Sequence, residues 1–379
     1  MKIAIICDVL GTANNGTSLA AFNLINSLKE KGHDVRVVCP DEDKRGQEGY
    51  YIVPKYNFGL FQRYMEKNGV SPAKADKTIL ESAISDADII HVMVPFSLGK
   101  AAAAYANQHG IPLTAGFHCQ AENITSHIFL KNSRIANKTT YRILNRRLFR
   151  YCDCIHYPTQ FICDVFESVV GKTPHRIISN GVSDDFKPGI NENTGRNGYT
   201  IVYSGRYSPE KSHGVLIDAV AKSHHKNEIR LVFAGTGPLR KKLEKRAGKK
   251  GINPPVMKFY GREELASLLK QADLYVHPAE IEIEAISCLE AIATGKVPVI
   301  SDSPKSATKH FALTPQNLFR CGDSDDLAGK IDWWLDHPEE RNDCAKRYIG
   351  FAEQFNFSRC MDEMEKMLID TVEEKKHET

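Results

Sequence analysis

The strongest constraint on the fold of this chain is the alternation of short apolar runs with helical stretches along its whole length. The apolar runs have the composition of buried β-strands, and each ends in a polar or glycine-rich loop that leads into a helix. The predicted strands are Lys2–Cys7, Val35–Cys39, Asp88–Val94, Leu113–Phe117, Cys154–Tyr157, Ile201–Ser204, Arg230–Ala234, Met257–Tyr260, Leu274–His277 and Val297–Ile300. This alternation predicts an α/β fold with mostly parallel sheets that are covered by helices on both faces.

A polar, turn-rich stretch between residues 179 and 198 interrupts the alternation. Because 379 residues exceed what one hydrophobic core usually serves, we expect two domains. The predicted domains are 1–185 and 199–357, and each is Rossmann-like because it opens with a strand, a loop and a helix. The helical tail, about 358–379, either caps the second domain or crosses back onto the first.

Composition argues against several classes of function. The net charge of +3 is too small to indicate a nucleic-acid partner. No apolar run reaches the length of a transmembrane helix, and the first residues resemble a β-strand rather than a signal peptide, so we expect a cytoplasmic protein. Cys152 and Cys154 form a C-x-C, but no second Cys or His pair has zinc spacing. We therefore expect ten reduced thiols and no structural metal.

Two cations follow the strand that opens the second half. Arg206 and Lys211 lie in a Gly-Arg-x-x-x-Glu-Lys segment directly after the predicted strand Ile201–Ser204. Ligands of doubly wound sheets bind beyond the carboxyl ends of the strands, and a guanidinium group matches the geometry of phosphate oxygens. The pair is therefore a candidate diphosphate site, although an exposed basic loop would have the same sequence.

Two carboxylates stand eight positions apart around the start of another helix. Glu282 precedes the helical run Ala285–Thr294, where acidic residues often act only as caps. Glu290 lies within that run among apolar residues, where a carboxylate is costly unless it meets hydroxyl groups or a cation. Sugar hydroxyls would satisfy it, and the free amides near Ile283 to Ile286 could receive phosphate oxygens.

Three further motifs are weaker signals. The loop Gly11–Ser18 lacks both the dinucleotide fingerprint and the P-loop ending, although Gly16 could still bring a backbone amide to a phosphate. His118 stands at the carboxyl end of a predicted strand, where active-site residues gather, but a single His is more often structural. Asp323-Ser324-Asp325 has the spacing of a metal motif, yet its place before a helix favours an N-cap.

A basic stripe precedes the strand Cys154–Tyr157. No acidic residue lies between Lys131 and Arg150. The cations that recur every four residues are Arg134, Lys138, Arg142, Arg146 and Arg150. A helix of this kind either docks onto an anionic membrane surface or turns a solvated face outward. The aromatic segment 50–61 could insert at such an interface or line an acceptor cleft.

Together these segments make the chain resemble the retaining glycosyltransferases of family four, which have the GT-B fold. The resemblance rests on Gly16, Phe117-His118, Ser179-Asn180-Gly181-Val182, Gly205-Arg206-x-x-x-Glu210-Lys211, Gly235-Thr236-Gly237-Pro238, Phe259-Tyr260-Gly261 and Glu282-x7-Glu290. It covers the chain end to end and is similar in detail to the bacterial diacylglycerol glucosyltransferase-like branch. It implies two Rossmann-like parallel-sheet domains that face a cleft, with the C-terminal helix crossing back to the first domain.

The resemblance also implies roles for single residues. Arg206 and Lys211 would hold the diphosphate, Glu282 and Glu290 would accept hydrogen bonds from the transferred sugar and the ribose, and His118 would lie against the sugar. The remaining residues of the implied donor site are Gly16, Gly237, Gly261, Arg262, Ile283 and Ile286. The family usually has Gly-Phe-Gly where this chain has Ile283-Glu284-Ala285, a change that we interpret as altered sugar specificity.

The implied activity is retaining transfer of a hexose from a nucleotide sugar, expected to be UDP-linked. The acceptor would be a lipid or glycolipid such as diacylglycerol, and the protein would lie peripherally on the inner face of the plasma membrane. No metal or other cofactor is expected, because two cations would occupy the charge site. The alternatives are a transferase of capsule, exopolysaccharide or lipopolysaccharide assembly with a sugar acceptor, and a non-transferring sugar-nucleotide protein, epimerase-like or a binding subunit.

Overall fold

The computed structural model describes residues 1–8, 10, 16–56, 73–126, 130–189 and 198–378. The chain divides into two compact units, a first unit of Met1–Asn180 with Ser358–Thr379 and a second unit of Gly181–Phe357. Among the described residues, no helix combines the length and the apolar character that crossing a bilayer requires.

The first unit is built on a parallel sheet with seven described strands. In chain order they are β1 (Lys2–Ile6), β2 (Asp34–Cys39), β3 (Tyr50–Ile52), β4 (Ile89–Val92), β5 (Leu113–Gly116), β6 (Cys154–Tyr157) and β7 (His175–Ile177). Their order across the sheet is β3-β2-β1-β4-β5-β6-β7, and all neighbours are parallel. The central strands are buried on both faces, as a sheet covered by helices requires.

Helices connect these strands. They are α1 (Gly16–Glu30), α2 (Lys77–Ile84), α3 (Ser97–His109), α4 (Ala121–Ser126), α5 (Arg134–Arg147) and α6 (Gln160–Val170). The last helix of the chain, α13 (Phe357–Glu378), belongs to this unit from Ser358 onward. Its Glu365 accepts hydrogen bonds from Lys31 and His33, both at 2.7 Å, and its Lys375 binds Asp153 at 2.6 Å.

The second unit repeats this design with a parallel sheet of six described strands. They are β8 (Tyr199–Ser204), β9 (Ile229–Ala234), β10 (Val256–Lys258), β11 (Leu274–His277), β12 (Pro298–Ser301) and β13 (Leu318–Phe319). The helices are α7 (His213–Lys222), α8 (Arg240–Lys250), α9 (Arg262–Gln271), α10 (Ile286–Ala293), α11 (Ser324–Asp336) and α12 (Pro338–Ala352). The strand order is β10-β9-β8-β11-β12-β13, so the order reverses between β8 and β11.

Both sheets therefore have the strand order of a Rossmann fold, and the predicted α/β class with two Rossmann-like domains is confirmed. In such sheets ligands bind beyond the carboxyl ends of the two strands at which the order reverses, the switch point. The two switch points lie between β1 and β4 and between β8 and β11.

Candidate active site

The switch point of the second sheet carries an ion pair. The Nζ atom of Lys211, which follows β8, lies 2.6 Å from Oε1 of Glu282, which follows β11. His277, the last residue of β11, donates to the same carboxylate over 3.1 Å. The Glu282 side chain is only 10% exposed. Lys211 and Glu282 were separate candidates in the sequence analysis, and the fold brings them together.

Electrostatics favours the ionised form of Glu282. Burial alone would raise the pKa of this carboxyl group, but Lys211 and His277 more than offset that effect and hold the pKa at about 2. Burial lowers the pKa of His277, and the hydrogen bond to Glu282 only partly opposes the shift. The pair therefore presents a carboxylate and an ammonium side by side, which suits a ligand that has both hydroxyl groups and phosphate.

The backbone holds these two side chains in place. Tyr203 donates a hydrogen bond of 3.0 Å to the carbonyl of Lys211, and the next residue, Ser212, turns the chain into α7 with a left-handed φ of 51°. Glu282 is fixed on the other side by its carbonyl, which accepts from the amide of Ala307 over 2.9 Å. Because both loops are tied to neighbouring elements, the ion pair is largely preorganised.

Arg206 lies two residues beyond the end of β8 and is partly buried. Its loop packs backbone against backbone on the loop after β9: the amide of Tyr207 donates to the carbonyl of Thr236 over 2.8 Å. A Cβ atom at Gly237 would come within 2.6 Å of the Tyr207 nitrogen, and one at Gly235 within 2.1 Å of the Gly205 oxygen. Glycine at 237 is thus required by packing, whatever its predicted part in the nucleoside pocket.

Glu290 lies on α10, partly buried, and among the described residues its carboxylate has no hydrogen-bond partner. Burial raises its pKa to about 8, and the charge of Arg262 opposes the shift. Arg262 itself is exposed at the start of α9, 3.6 Å from Asp185, and Gly261 caps that helix. A partly buried carboxyl group without a protein partner among the described residues is suited to bind ligand hydroxyls.

The segment between the two glutamates is strained. Ala285 precedes α10 with φ 64° and ψ 68°, a left-handed conformation that non-glycine residues rarely adopt. Ile283 and Ile286 on either side are partly buried. Ala285 stands where the family usually has the second glycine of Gly-Phe-Gly, and this chain therefore places a methyl group on a left-handed residue.

His118 lies in the first unit, just after β5. Its ring folds back over Gly116, where a Cβ atom would come within 2.4 Å of Nε2. The ring contributes to a partly open pocket that is also lined by His91, His156 and Met93. Burial lowers the pKa of His118 well below its usual value, so the imidazole is neutral.

The structure also bears on three weaker predictions, which concern Gly16 with the loop before it, the aromatic segment 50–61 and Asp323. Gly16 is the first residue of α1, and a Cβ atom there would meet nothing within 4 Å, so no steric reason for glycine is evident. The loop 11–15 before it and residues 57–61 of the aromatic segment lie outside the described residues. Asp323 caps α11 by accepting from the amides of Asp325 and Asp326, which confirms the N-cap prediction.

The predicted basic stripe forms the exposed face of α5. Arg134, Lys138, Arg142 and Arg146 are exposed there, and none has an ion-pair partner in the part of the chain that the structure describes. Arg150 follows the helix and lies over the ring of Tyr151 at 4.6 Å. Two apolar side chains share this face, because Ile135 is 81% and Ile143 42% exposed.

Two residues at the switch points were not among the sequence candidates. His277 contacts Glu282, and its only sequence signal was its place at the end of a strand. Asp8 follows β1 and accepts from the amides of Leu98 and Gly99 at the start of α3, at 2.8 and 3.0 Å. Burial raises the pKa of Asp8 to about 6, although these backbone bonds oppose the shift.

Both halves of the chain match known glycosyltransferase families. Residues 14–186 match the family described as Glycosyltransferase Family 4, and residues 186–349 match Glycosyl transferases group 1. A GDP-mannose-dependent alpha-mannosyltransferase of Corynebacterium glutamicum is 27% identical over 93% of this chain and 85% of its own. An alpha-monoglucosyldiacylglycerol synthase of Streptococcus pneumoniae is 25% identical over 79% of this chain and 71% of its own.

The fold has a close counterpart among solved structures. The crystal structure of Anabaena HepE in complex with UDP and glucose covers 97% of this chain and 99% of that chain, with 16% identity and a TM-score of 0.76. At this identity the likeness concerns the fold alone. The two family matches, which together span residues 14–349, show that the chain belongs to the family 4 glycosyltransferases, and the likeness to HepE shows the GT-B fold.

Proposed function

We propose that this glycosyltransferase is a retaining enzyme that transfers a hexose from a UDP-linked donor to a lipid acceptor at an anionic membrane surface. The observation that carries the donor part is the Lys211–Glu282 ion pair at the second switch point, with Arg206 on the same loop as Lys211. A diphosphate there would meet two cations, and a sugar next to it would meet a carboxylate.

The proposed chemistry is electrostatic. Breaking the bond between the sugar and UDP places negative charge on the diphosphate, and Arg206 and Lys211 would stabilise that charge as it develops. Lys211 would exchange its contact with Glu282 for phosphate oxygens, and Glu282 would then accept hydrogen bonds from sugar hydroxyls. Glu290, which lacks a hydrogen-bond partner among the described residues, would accept from the ribose hydroxyls.

Two further parts of the proposal concern the sugar. His118 belongs to the first unit, and its role beside the transferred sugar stays a prediction. A retaining course without a protein nucleophile would require the acceptor to attack the face that UDP leaves, with the diphosphate taking the acceptor's proton. The mechanism assigns no step to a metal, since the two cations would supply the positive charge.

The acceptor part of the proposal rests on α5. Its exposed face combines four cations with Ile135 and Ile143, the combination by which amphipathic helices bind anionic bilayers. A relative named as a synthase of monoglucosyldiacylglycerol supports a lipid acceptor. A relative named as dependent on GDP-mannose makes that sugar nucleotide the main alternative donor.

The test is release of nucleoside diphosphate from a panel of UDP-sugars and GDP-mannose, with and without vesicles of diacylglycerol and anionic lipid. We expect release from one UDP-sugar to rise at least tenfold with vesicles, and the sugar to appear on the lipid in the α configuration of the donor. Release of GDP from GDP-mannose, with no release of UDP from any UDP-sugar, would show that the donor is GDP-mannose. Release that ignores vesicles but rises with a soluble glycan would move the acceptor to the polysaccharide class.

Charge reversal on α5 tests the membrane part separately. We expect Arg142→Glu with Arg146→Glu to release the protein from anionic vesicles while donor hydrolysis without lipid is unchanged. The matched control is Lys241→Glu with Lys245→Glu on the exposed face of α8, which changes the net charge equally. If both variants lost vesicle binding equally, α5 would have no specific role in membrane binding beyond its contribution to the net charge.

A further inference from the structure

A cluster of imidazoles and carboxylates lies in the second unit, at the edge of the sheet opposite the candidate active site. His224 and His225 follow α7, and the ring of His225 packs edge-on against Tyr199, the first residue of β8, with centroids 5.0 Å apart. Arg206 follows the other end of β8. Six strand residues at about 3.3 Å each separate the two places by roughly 20 Å.

Three side chains of this cluster converge on one point. Nε2 of His224 lies 3.2 Å from Oδ2 of Asp336, and Nε2 of His225 lies 2.8 Å from Oδ1 of the same carboxylate. Ligand atoms of all three residues lie within 4.8 Å of one another. In a tetrahedral zinc site, bonds of about 2.0–2.1 Å place neighbouring ligand atoms roughly 3.3 Å apart. The two nitrogen–oxygen distances to Asp336 are therefore already close to the spacing that a bound ion imposes.

Each imidazole also has a second carboxylate behind it. Nδ1 of His224 lies 3.1 Å from Oδ2 of Asp332, and Nδ1 of His225 lies 2.9 Å from Oε2 of Glu228. With an ion bound, these two carboxylates would accept from Nδ1–H of the rings, so that the lone pair of each Nε2 could point to the ion. A carboxylate–histidine–metal arrangement orients ligands in this way in known zinc sites.

The surrounding helix adds to the attraction for a cation. Asp336 is the last residue of α11, whose last turn contains no basic residue. A helix C-terminus has partial negative charge, so a carboxylate there is unfavourable until a cation joins it. Asp332 lies one turn earlier on the same helix and accepts hydrogen bonds from the hydroxyl of Ser223 and the amide of His224.

A second group of possible ligands, Cys163, Glu167 and His175 in the first unit, has a different character. Glu167 is already occupied, because it accepts from Lys172 at 2.7 Å and from the amide and hydroxyl of Thr173 at 3.0 and 2.9 Å. A metal would have to displace these donors, so we propose no metal site here. His175 of this group serves as a comparison in the binding experiment below.

We propose that His224, His225 and Asp336 form a binding site for one divalent transition metal ion of the zinc class, with both imidazoles binding through Nε2. Two imidazoles and one carboxylate suit such an ion better than magnesium or calcium, which prefer oxygen ligands. The ion would join the turn after α7 to the end of α11. Because the site is about 20 Å from Arg206, its effect would be on stability and not on transfer.

The experiment uses the 379-residue chain without an affinity tag, stripped with EDTA and kept reduced. Titration calorimetry with ZnCl₂ is compared for wild type, His225→Gln, Asp336→Asn and the control His109→Gln, which changes an exposed histidine of the first unit. We expect one zinc equivalent to bind about 100-fold more weakly in the first two variants and unchanged in the control. Asp332→Asn is expected to weaken binding about tenfold.

Two other readouts test the same site. Zinc should raise the melting temperature of the wild type by several degrees, and Asp336→Asn should lose that rise while it melts as the wild type does in EDTA. CoCl₂ should give visible absorption bands of four-coordinate cobalt that disappear in the same variant. Absence of zinc binding in the wild type, or undiminished binding in His225→Gln and Asp336→Asn, would overturn the proposal. So would loss of that equivalent in His175→Gln.

Discussion

Among single residues, Lys211 and Glu282 depend on each other even without a donor. Lys211→Met would leave the Glu282 carboxylate buried beside His277 without its cation, so the free energy of unfolding should fall by about 2–4 kcal/mol at pH 7. Adding Glu282→Gln should restore at least half of that loss. Urea denaturation measures both variants, with Lys346→Met as the exposed ion-pair control.

The pH dependence of this pair has a definite sign. Because the pKa of Glu282 is lowered from 4.5 to about 2, the stability that the pair contributes is present above pH 4.5 and is lost as pH falls toward 2. For the mutational test above, the contradicting outcome is a double variant, Lys211→Met with Glu282→Gln, that is less stable than Lys211→Met alone.

Glu290 should show the opposite dependence. Its pKa is raised from 4.5 to about 8, so the wild type should lose stability as pH rises from 4.5 through 8, while Glu290→Gln is insensitive to pH at this position. The melting temperature of Glu290→Gln minus that of the wild type should therefore increase over this range. Glu263→Gln, on an exposed carboxylate, is the control; a constant difference for Glu290→Gln would refute the prediction.

At the level of elements, the turn into α10 makes a direct prediction. Ala285→Gly should raise the free energy of unfolding by about 0.5–1 kcal/mol, because glycine adopts the left-handed conformation without the strain of a Cβ atom. Ala345→Gly, inside α12, should lower it by a similar amount. Chemical denaturation of the two variants checks this, and destabilisation by both would show that Ala285 is not strained.

The central strands were predictable from sequence, whereas among the described edge strands β10 was predicted, as Met257–Tyr260, and β3, β7 and β13 were not. Leu274–His277 was predicted with its observed bounds, because a continuous apolar run between polar segments is typical of a strand buried on both faces. β7, His175–Ile177, was missed since it is short, polar and partly exposed, so neighbouring strands rather than hydrophobicity place it. β13 was missed because its two apolar residues, Leu318 and Phe319, are too short a run to indicate a strand.

The candidate site was predictable only in part. Arg206, Lys211 and Glu282 were found because loops after strands at a switch point repeat a recognisable pattern. The hydrogen bond between His277 and Glu282 was not predictable, because it depends on how the loop after β11 folds back, and no local sequence pattern encodes that fold. Asp8 was missed because its role depends on α3, some ninety residues later in the chain.

For the whole molecule, the chain's last helix is the testable feature. Side chains of α13 that are buried in the first unit include Met361, Met364, Met367, Leu368 and Val372. Burial of such side chains stabilises by about 1.5–3 kcal/mol each, so a chain that ends at Phe357 should lose the cooperative melting of the first unit. The second unit should keep its own transition.

Limited proteolysis and calorimetry would measure this truncation. We expect digestion of residues 1–180 and survival of a fragment close to 181–357. The control is a chain that ends at Val372, which keeps these buried side chains and removes only the charged end of the helix. Resistance of the first unit in the Phe357 variant would show that α13 is dispensable.

The place of α13 also sets the order of events during synthesis. The ribosome releases all of residues 181–357 before α13 emerges, so the second unit can finish folding while the first unit still lacks its last helix. At 5–20 residues per second this delay is roughly 10–35 s. During that time the apolar surface that later covers Met361 and Leu368 is exposed to solvent, and the nascent chain should be a client of chaperones.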